Sequence, residues 1–225
     1  MAMQYALGRA RASATGNPIT FSYDVVRGDS VLVLLLKVNG GTNRAGGAPT
    51  WGSQTFTQRN STQKAASSPE ASCELWDLLN PVPGTQTLTI PNTGSLTVFH
   101  TVAIGRDPNV KPVRFVAANG GNATSTNPTP GAITIDEDGA IAFAIAAGGW
   151  QTWAPSPQVG TVINNNDDGA HGEGSQYFRQ QIHGALTLSW TFGTSDDWGA
   201  VVAAYAPLPS IINNNYLRAG TVAIG

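Results

Sequence analysis

One rhythm constrains this chain more than any other feature. From residue 19 to residue 205 it repeats runs of five to nine residues rich in Val, Ile, Thr and aromatics. Each run is closed by Gly, Pro, Asn or Asp, and helical periodicity is nearly absent. Residues 31–38 are apolar throughout except for Lys37, the pattern of a strand buried on both faces inside a sheet. Residues 85–90 alternate instead, with Leu88 and Ile90 on one face and Thr85, Thr87 and Thr89 on the other.

Further strands are read at 19–26, 50–57, 71–79, 96–104, 113–118, 132–135, 140–147, 159–163, 175–182, 185–192 and 198–205. Residues 119–131 and 164–174 read as polar loops. Asp138-Gly139 between 132–135 and 140–147 is a hairpin signal. With no crossover helices between them, about 12 strands imply an all-β, antiparallel sandwich of jelly-roll type. The expected layout is one domain over residues 18–206 in two sheets, with 31–38 and 198–204 as interior strands. Residues 1–17 and 207–225 fall outside the rhythm and read as extended arms.

Charged residues make up 12% of the chain and the net charge is −2, so no broad basic field is available for nucleic acid or an anionic membrane surface. The longest apolar runs, 31–36 and 140–147, are too short to cross a bilayer as helices. No apolar stretch follows Met1, so no secretory signal is read. Cys73 is the single cysteine, which excludes an intramolecular disulfide and a cysteine-based zinc site. On its strand it reads as a small buried apolar residue.

The polar residues offer little chemistry. His100, His171 and His183 have no metal-ligand spacing, and the loop from Asp167 to Glu173, though it collects two Asp, a His and a Glu, does not match a calcium loop. No nucleophile sits in an activating motif and no phosphate-binding glycine loop occurs. Glu70 and Glu137 fall in turns, and Glu74 reads as an outward-facing strand residue beside Trp76. The expectation is a protein without catalysis, cofactor or metal. Among the six tryptophans, Trp150 and Trp153 lie in a loop, either as a stacking platform for sugars or as interface aromatics, whereas Trp76, Trp190 and Trp198 fit a core.

Two short identities occur without forming a fixed-period array. Ile163-Asn164-Asn165-Asn166 returns as Ile212-Asn213-Asn214-Asn215, and Thr101-Val102-Ala103-Ile104-Gly105 returns as Thr221-Val222-Ala223-Ile224-Gly225. Both fit coincidence in a chain of few residue types. The alternative makes Thr221, Val222, Ala223 and Ile224 an assembly arm able to add a strand to an exposed sheet edge.

The order of segments resembles a known family. Residues 30–36, then Gly40-Gly41-Thr42-Asn43-Arg44-Ala45-Gly46-Gly47-Ala48-Pro49-Thr50-Trp51, then Glu74-Leu75-Trp76-Asp77-Leu78-Leu79-Asn80-Pro81 and Gly84-Thr85-Gln86-Thr87-Leu88-Thr89-Ile90 are similar to jelly-roll virion structural proteins of tailed bacteriophages. The likeness covers residues 18–206 and transfers no functional residue. It implies a non-enzymatic capsid-decorating, head-fibre or tail-associated protein, made in the host cytoplasm and residing in the virion. Its implied partners are further copies of itself and other virion proteins such as the major capsid or tail protein, with no direct contact to nucleic acid or membrane. A carbohydrate-binding module or adhesin, taking a surface glycan on its loop tryptophans, is the competing expectation.

Overall fold

The computed structural model describes residues 3–5, 9–15, 18–39, 46–64, 71–91, 97–107, 109, 112–149, 156–167, 172–180 and 182–208. Among these residues every regular element is a strand, and every pairing is antiparallel. Trp150, Trp153, His171 and the Thr221–Ile224 segment lie outside the described residues.

The first half contains β1 (Gln4–Tyr5), β2 (Arg9–Thr15), β3 (Ile19–Val25), β4 (Asp29–Asn39), β5 (Thr50–Trp51), β6 (Gln54–Thr55), β7 (Thr57–Lys64), β8 (Ala71–Leu79), β9 (Gly84–Ile90) and β10 (Thr97–Arg106). One sheet runs β1-β10-β4-β8-β7 with β2 also on β10, and the other runs β3-β9-β5-β6. The interleaving of early and late strands in two facing sheets is jelly-roll topology. The N-terminal segment is thus partly strand, since β1 and β2 lie along the outer side of β10 in the same chain.

The second half contains β11 (Val113–Ser125), β12 (Ala132–Ile135), β13 (Ala140–Gly148), β14 (Ser156–Pro157), β15 (Thr161–Asp167), β16 (Gly172–Gln180), β17 (Gly184–Thr187), β18 (Trp190–Thr191) and β19 (Asp196–Pro207). Its large sheet runs β11-β19-β13-β16-β15, and it is faced by the ribbons β12-β17 and β14-β18. The large sheet repeats the order of the first, β19-β13-β16-β15 for β10-β4-β8-β7, and β12-β17 repeats β3-β9, whereas β6 has no counterpart. The registers agree as well. Val25 opposes Gly84 as Ile135 opposes Gly184. Leu34 opposes Trp76 as Ala144 opposes Gln176, and Val31 opposes Gly105 as Ile141 opposes Tyr205. Even the β-bulge recurs, between Gln58 and Asn60 on β7 and between Val162 and Asn164 on β15. The chain is a jelly roll written twice.

Packing follows from strands that are apolar on both faces. Leu32, Leu34 and Leu36 of β4 point into an outer core with Ile19, Tyr23, Trp51, Leu88 and Ile90. Val31, Val33 and Leu35 point the other way, onto Ile141, Phe143, Ile145, Val201 and Tyr205 of the second half. There Ala142, Ala144 and Ala146 of β13 leave room for Leu186, Leu188, Trp190 and Phe192 in the far outer core. The two large sheets therefore pack against each other, each is covered again on its outer side, and the molecule has four layers. The expected single pair of sheets undercounts because a strand buried on both faces needs a covering layer on each side.

Several local expectations are corrected. Residues 119–125 are not loop: β11 continues to Ser125, paired along β19 as far as Asp196. Its glycines permit close approach, because a Cβ on Gly120 would stand 2.5 Å from Thr62 Cγ2 and one on Gly121 would stand 2.6 Å from the Thr129 carbonyl oxygen. Asp138-Gly139 makes no hairpin, since β12 pairs with β17 and β13 with β16 and β19. The turn is the corner where the chain changes sheet, with Gly139 at φ 77°. The 164–174 loop shrinks, because β15 reaches Asp167 and β16 starts at Gly172. Glu173 and Glu74 are both buried rather than solvated. The polar strand β7 was not expected at all.

Candidate functional site: the seam and a corner groove

Between the two jelly rolls, β7 and β8 lie across β11 and β19. This seam is apolar at its centre and carries ionisable groups. Asp77, which alternates with Cys73 and Leu75 on β8, is buried, and its Oδ2 accepts a 2.7 Å hydrogen bond from Arg59 Nε at the β7 bulge. The same guanidinium lies 4.2 Å above the Phe115 ring, which meets Tyr205 edge-on at 6.2 Å. Desolvation pushes the Asp77 carboxyl above its ordinary range, and the hydrogen bond from Arg59 offsets part of that rise. Burial, aided by the Asp77 charge, likewise raises the Tyr205 phenol.

Further along β8, Cys73 pairs directly with Lys37 on β4, and its thiol donates to the Gly199 carbonyl at 3.2 Å. Burial raises the thiol strongly; Lys37 opposes the rise, and Glu173 and Glu74 add to it. A thiol held protonated is a poor nucleophile, and Cys73 acts as a packing residue, in keeping with its sequence context. On the opposite face of β8, Glu74 accepts the Trp76 indole N–H at 2.8 Å.

The surface feature is a corner at the base of the first half. The β3–β4 turn, the β8–β9 connection and the β5–β6 hairpin meet there. A groove of about 380 Å³ is lined by Pro81, Pro83 and Pro112 together with Arg27, Ser30 and Asn80. Its frame is fixed by hydrogen bonds. Arg106 donates to Asp29 Oδ1 through Nε at 2.9 Å and Nη2 at 2.6 Å, and Asp29 Oδ2 accepts the Val26 N–H at 2.9 Å. Asn80 takes the left-handed φ of 50°, which Asn tolerates better than most side chains. Its N–H donates to the Ser30 carbonyl at 2.8 Å, and its Oδ1 accepts the Val113 N–H at 3.3 Å, so it ties the two halves together.

Beside the groove, Trp51, Ser53, Gln54, Val82 and Gln86 enclose a second depression of about 90 Å³. Gln54 Oε1 accepts the Val82 N–H at 2.9 Å and so pins the β8–β9 connection to the hairpin. Gly52 turns the hairpin at φ 56°, and the Gln86 amide lies where a Cβ on that glycine would be, 2.6 Å away. In the second half the matching corner carries His183, whose backbone N–H donates to Asp138 Oδ1 at 2.6 Å while its ring Nδ1 stands 2.9 Å from the same oxygen. These contacts, the backbone one first, hold the Asp138 carboxyl below its ordinary range. Val82 and Ile182, at equivalent places, are the most exposed large apolar side chains among the described residues, at 57% and 68%.

The candidate residues singled out in the sequence lie elsewhere. Trp76, Trp190 and Trp198 are core, as expected, but Trp51, Gln86, Asn80, Arg59 and Asp77 were not singled out. A period-two reading of β8 could have found Asp77, since it falls on the face of Cys73 and Leu75. The Asn80-Pro81-Val82-Pro83-Gly84 string was legible only as a turn. No protein-family model, curated protein or solved structure matches this chain.

Proposed function

We propose that this chain is a non-enzymatic structural protein of a virion, a capsid-decorating or other surface component that acts through self-association and arm exchange. The observation that carries the reading is the paired jelly roll itself: two sandwiches joined over a fully buried seam form a rigid four-layer block. Such a block transmits load between neighbours and presents its loops at two ends. The buried thiol and the ion-paired seam carboxylate serve packing in this reading, not turnover. Copies of the chain and other virion proteins are its partners, and the segment Thr221–Ile224 is its assembly arm.

Native mass and electron imaging of the full-length protein test this. Deleting residues 211–225 is expected to leave a folded block that assembles poorly. An undiminished oligomer of unchanged stability would refute arm exchange, and a full-length protein that stays monomeric at all concentrations would refute self-association. The second reading, a glycan-binding module, is favoured by one observation: the uncharged cavity beside the corner groove.

A further inference from the structure

We propose that the outer edge of β15 is the docking strand for residues 212–215 of a neighbouring copy, so that like segments pair between molecules. The proposal rests on the self-association reading and supplies its acceptor surface. β15 ends the second large sheet, and among the described residues no strand pairs with its outer side. An open edge invites a further strand unless charge, proline or a covering element blocks it. The other long strands at the edges of the two large sheets each carry arginine: Arg9 and Arg11 on β2, Arg59 on β7 and Arg114 on β11. β15 carries no basic residue, and Thr161 to Asn166 has no charge at all. Val159 and Val162 are exposed beside it, at 37% and 43%. The bulge between Val162 and Asn164 leaves Asn164 to Asp167 as the regular stretch of the edge.

The occupant is named by sequence. Ile163-Asn164-Asn165-Asn166 lies on β15, and Ile212-Asn213-Asn214-Asn215, outside the described residues, repeats it. Asparagine offers both donor and acceptor, and neither segment carries charge, so in either strand direction the two meet without repulsion. Strand addition then supplies main-chain hydrogen bonds. Reach makes the partner another molecule. Ile212 follows Leu208 by four residues, which span at most about 14 Å. Across the sheet Asn165 is level with Gly174, Ala146 and Ala200, eight residues before Leu208 and so about 26 Å away along the strands. The outer side of β15 also lies four strand spacings from β19, about 19 Å. The chain's own segment falls short in both directions, and a neighbour's meets no such limit.

Oxidative cross-linking between separately prepared full-length variants tests the contact. Asn165→Cys is mixed with Asn214→Cys; in the control mixture Thr87→Cys, exposed on β9, takes the place of Asn165→Cys. The disulfide-linked heterodimer is expected to form at least about tenfold faster in the first mixture, because docking raises the effective concentration of the two thiols. Native mass is recorded for wild type, Val162→Lys and Asn214→Pro, with circular dichroism to check the fold. The lysine guards the edge at an exposed position, and the proline removes a main-chain donor from the arm. Each is expected to weaken association about tenfold. The proposal is overturned if wild type assembles while the first mixture links no faster than the control, or if either variant assembles as wild type does; self-association through another surface then stands. A wild type that is monomeric at all concentrations ends both readings.

Discussion

Asp77 and Arg59 illustrate a charge pair whose value depends on its surroundings. The carboxylate is almost fully enclosed, while the Arg59 side chain keeps about a fifth of its surface exposed. Removing the cation would strand a buried anion, which typically costs about 3–5 kcal/mol. Arg59→Ala is therefore expected to destabilise the protein by about 3 kcal/mol near neutral pH, measured by urea unfolding. The sign of its pH dependence follows from the raised carboxyl. A carboxyl whose folded pKa lies above its unfolded value contributes stability below the unfolded pKa and loses it as pH rises through the folded one. Without Arg59 that loss deepens, so the penalty should shrink as pH falls through the carboxylate range, where protonated Asp77 needs no counter-charge. A penalty equal at both ends of that range would show that the pair acts only through packing over Phe115.

Strands were legible where their own side chains demanded burial and illegible where a neighbour imposed the conformation. β4 and β9 read correctly because their apolar faces fix both period and burial. β7 is polar along its whole length, and its strand character comes from pairing with β8. Likewise the distal half of β11 is Asn, Gly, Ala, Thr and Ser, and only β19 alongside makes it a strand. Asp138-Gly139 has hairpin chemistry, yet each flanking strand finds a better partner in a different sheet, so the turn serves a corner. The glycines of β11 carry a consequence of their own. A methyl on Gly121 would collide with the backbone oxygen of Thr129, which cannot rotate away. Gly121→Ala is expected to cost about 1–3 kcal/mol, the range for overpacking, while Gly193→Ala, with open space around it, should cost far less. Equal melting temperatures for the two variants would contradict the close approach.

At the scale of the whole chain, the clue to four layers was present in the sequence. Residues 31–36 and 140–147 are both continuously apolar, and each alone demands cover on two faces. What hid the duplication is that the halves solve the same packing problem with different volumes, leucines on β4 against alanines on β13. The corner residues were hidden for another reason: groups that meet across three loops have no common spacing in sequence. Because the seam is a continuous apolar core, the two jelly rolls should melt together. Calorimetry is expected to give one transition whose van't Hoff and calorimetric enthalpies agree. Phe143→Ala, at the centre of the seam, should lower that single transition by about 3–5 kcal/mol without splitting it. Two resolved transitions would mean that each half stands alone.

A homodimer must spend every mutation twice. Were these jelly rolls two copies of one chain, a lysine at the place of Lys37 would bring a second lysine to the matching position on the partner sheet, and a glutamate would do the same. Covalent linkage removes that constraint. The register makes Ala147 the counterpart of Lys37 and Glu173 the counterpart of Cys73, so Lys37 of one half and Glu173 of the other act on the same thiol in opposite senses, and neither is repeated at its counterpart position. The unlike charges also give the halves identities. Each face can recognise the other and not itself, which disfavours the pairing of like halves from neighbouring molecules when many copies fold at close quarters.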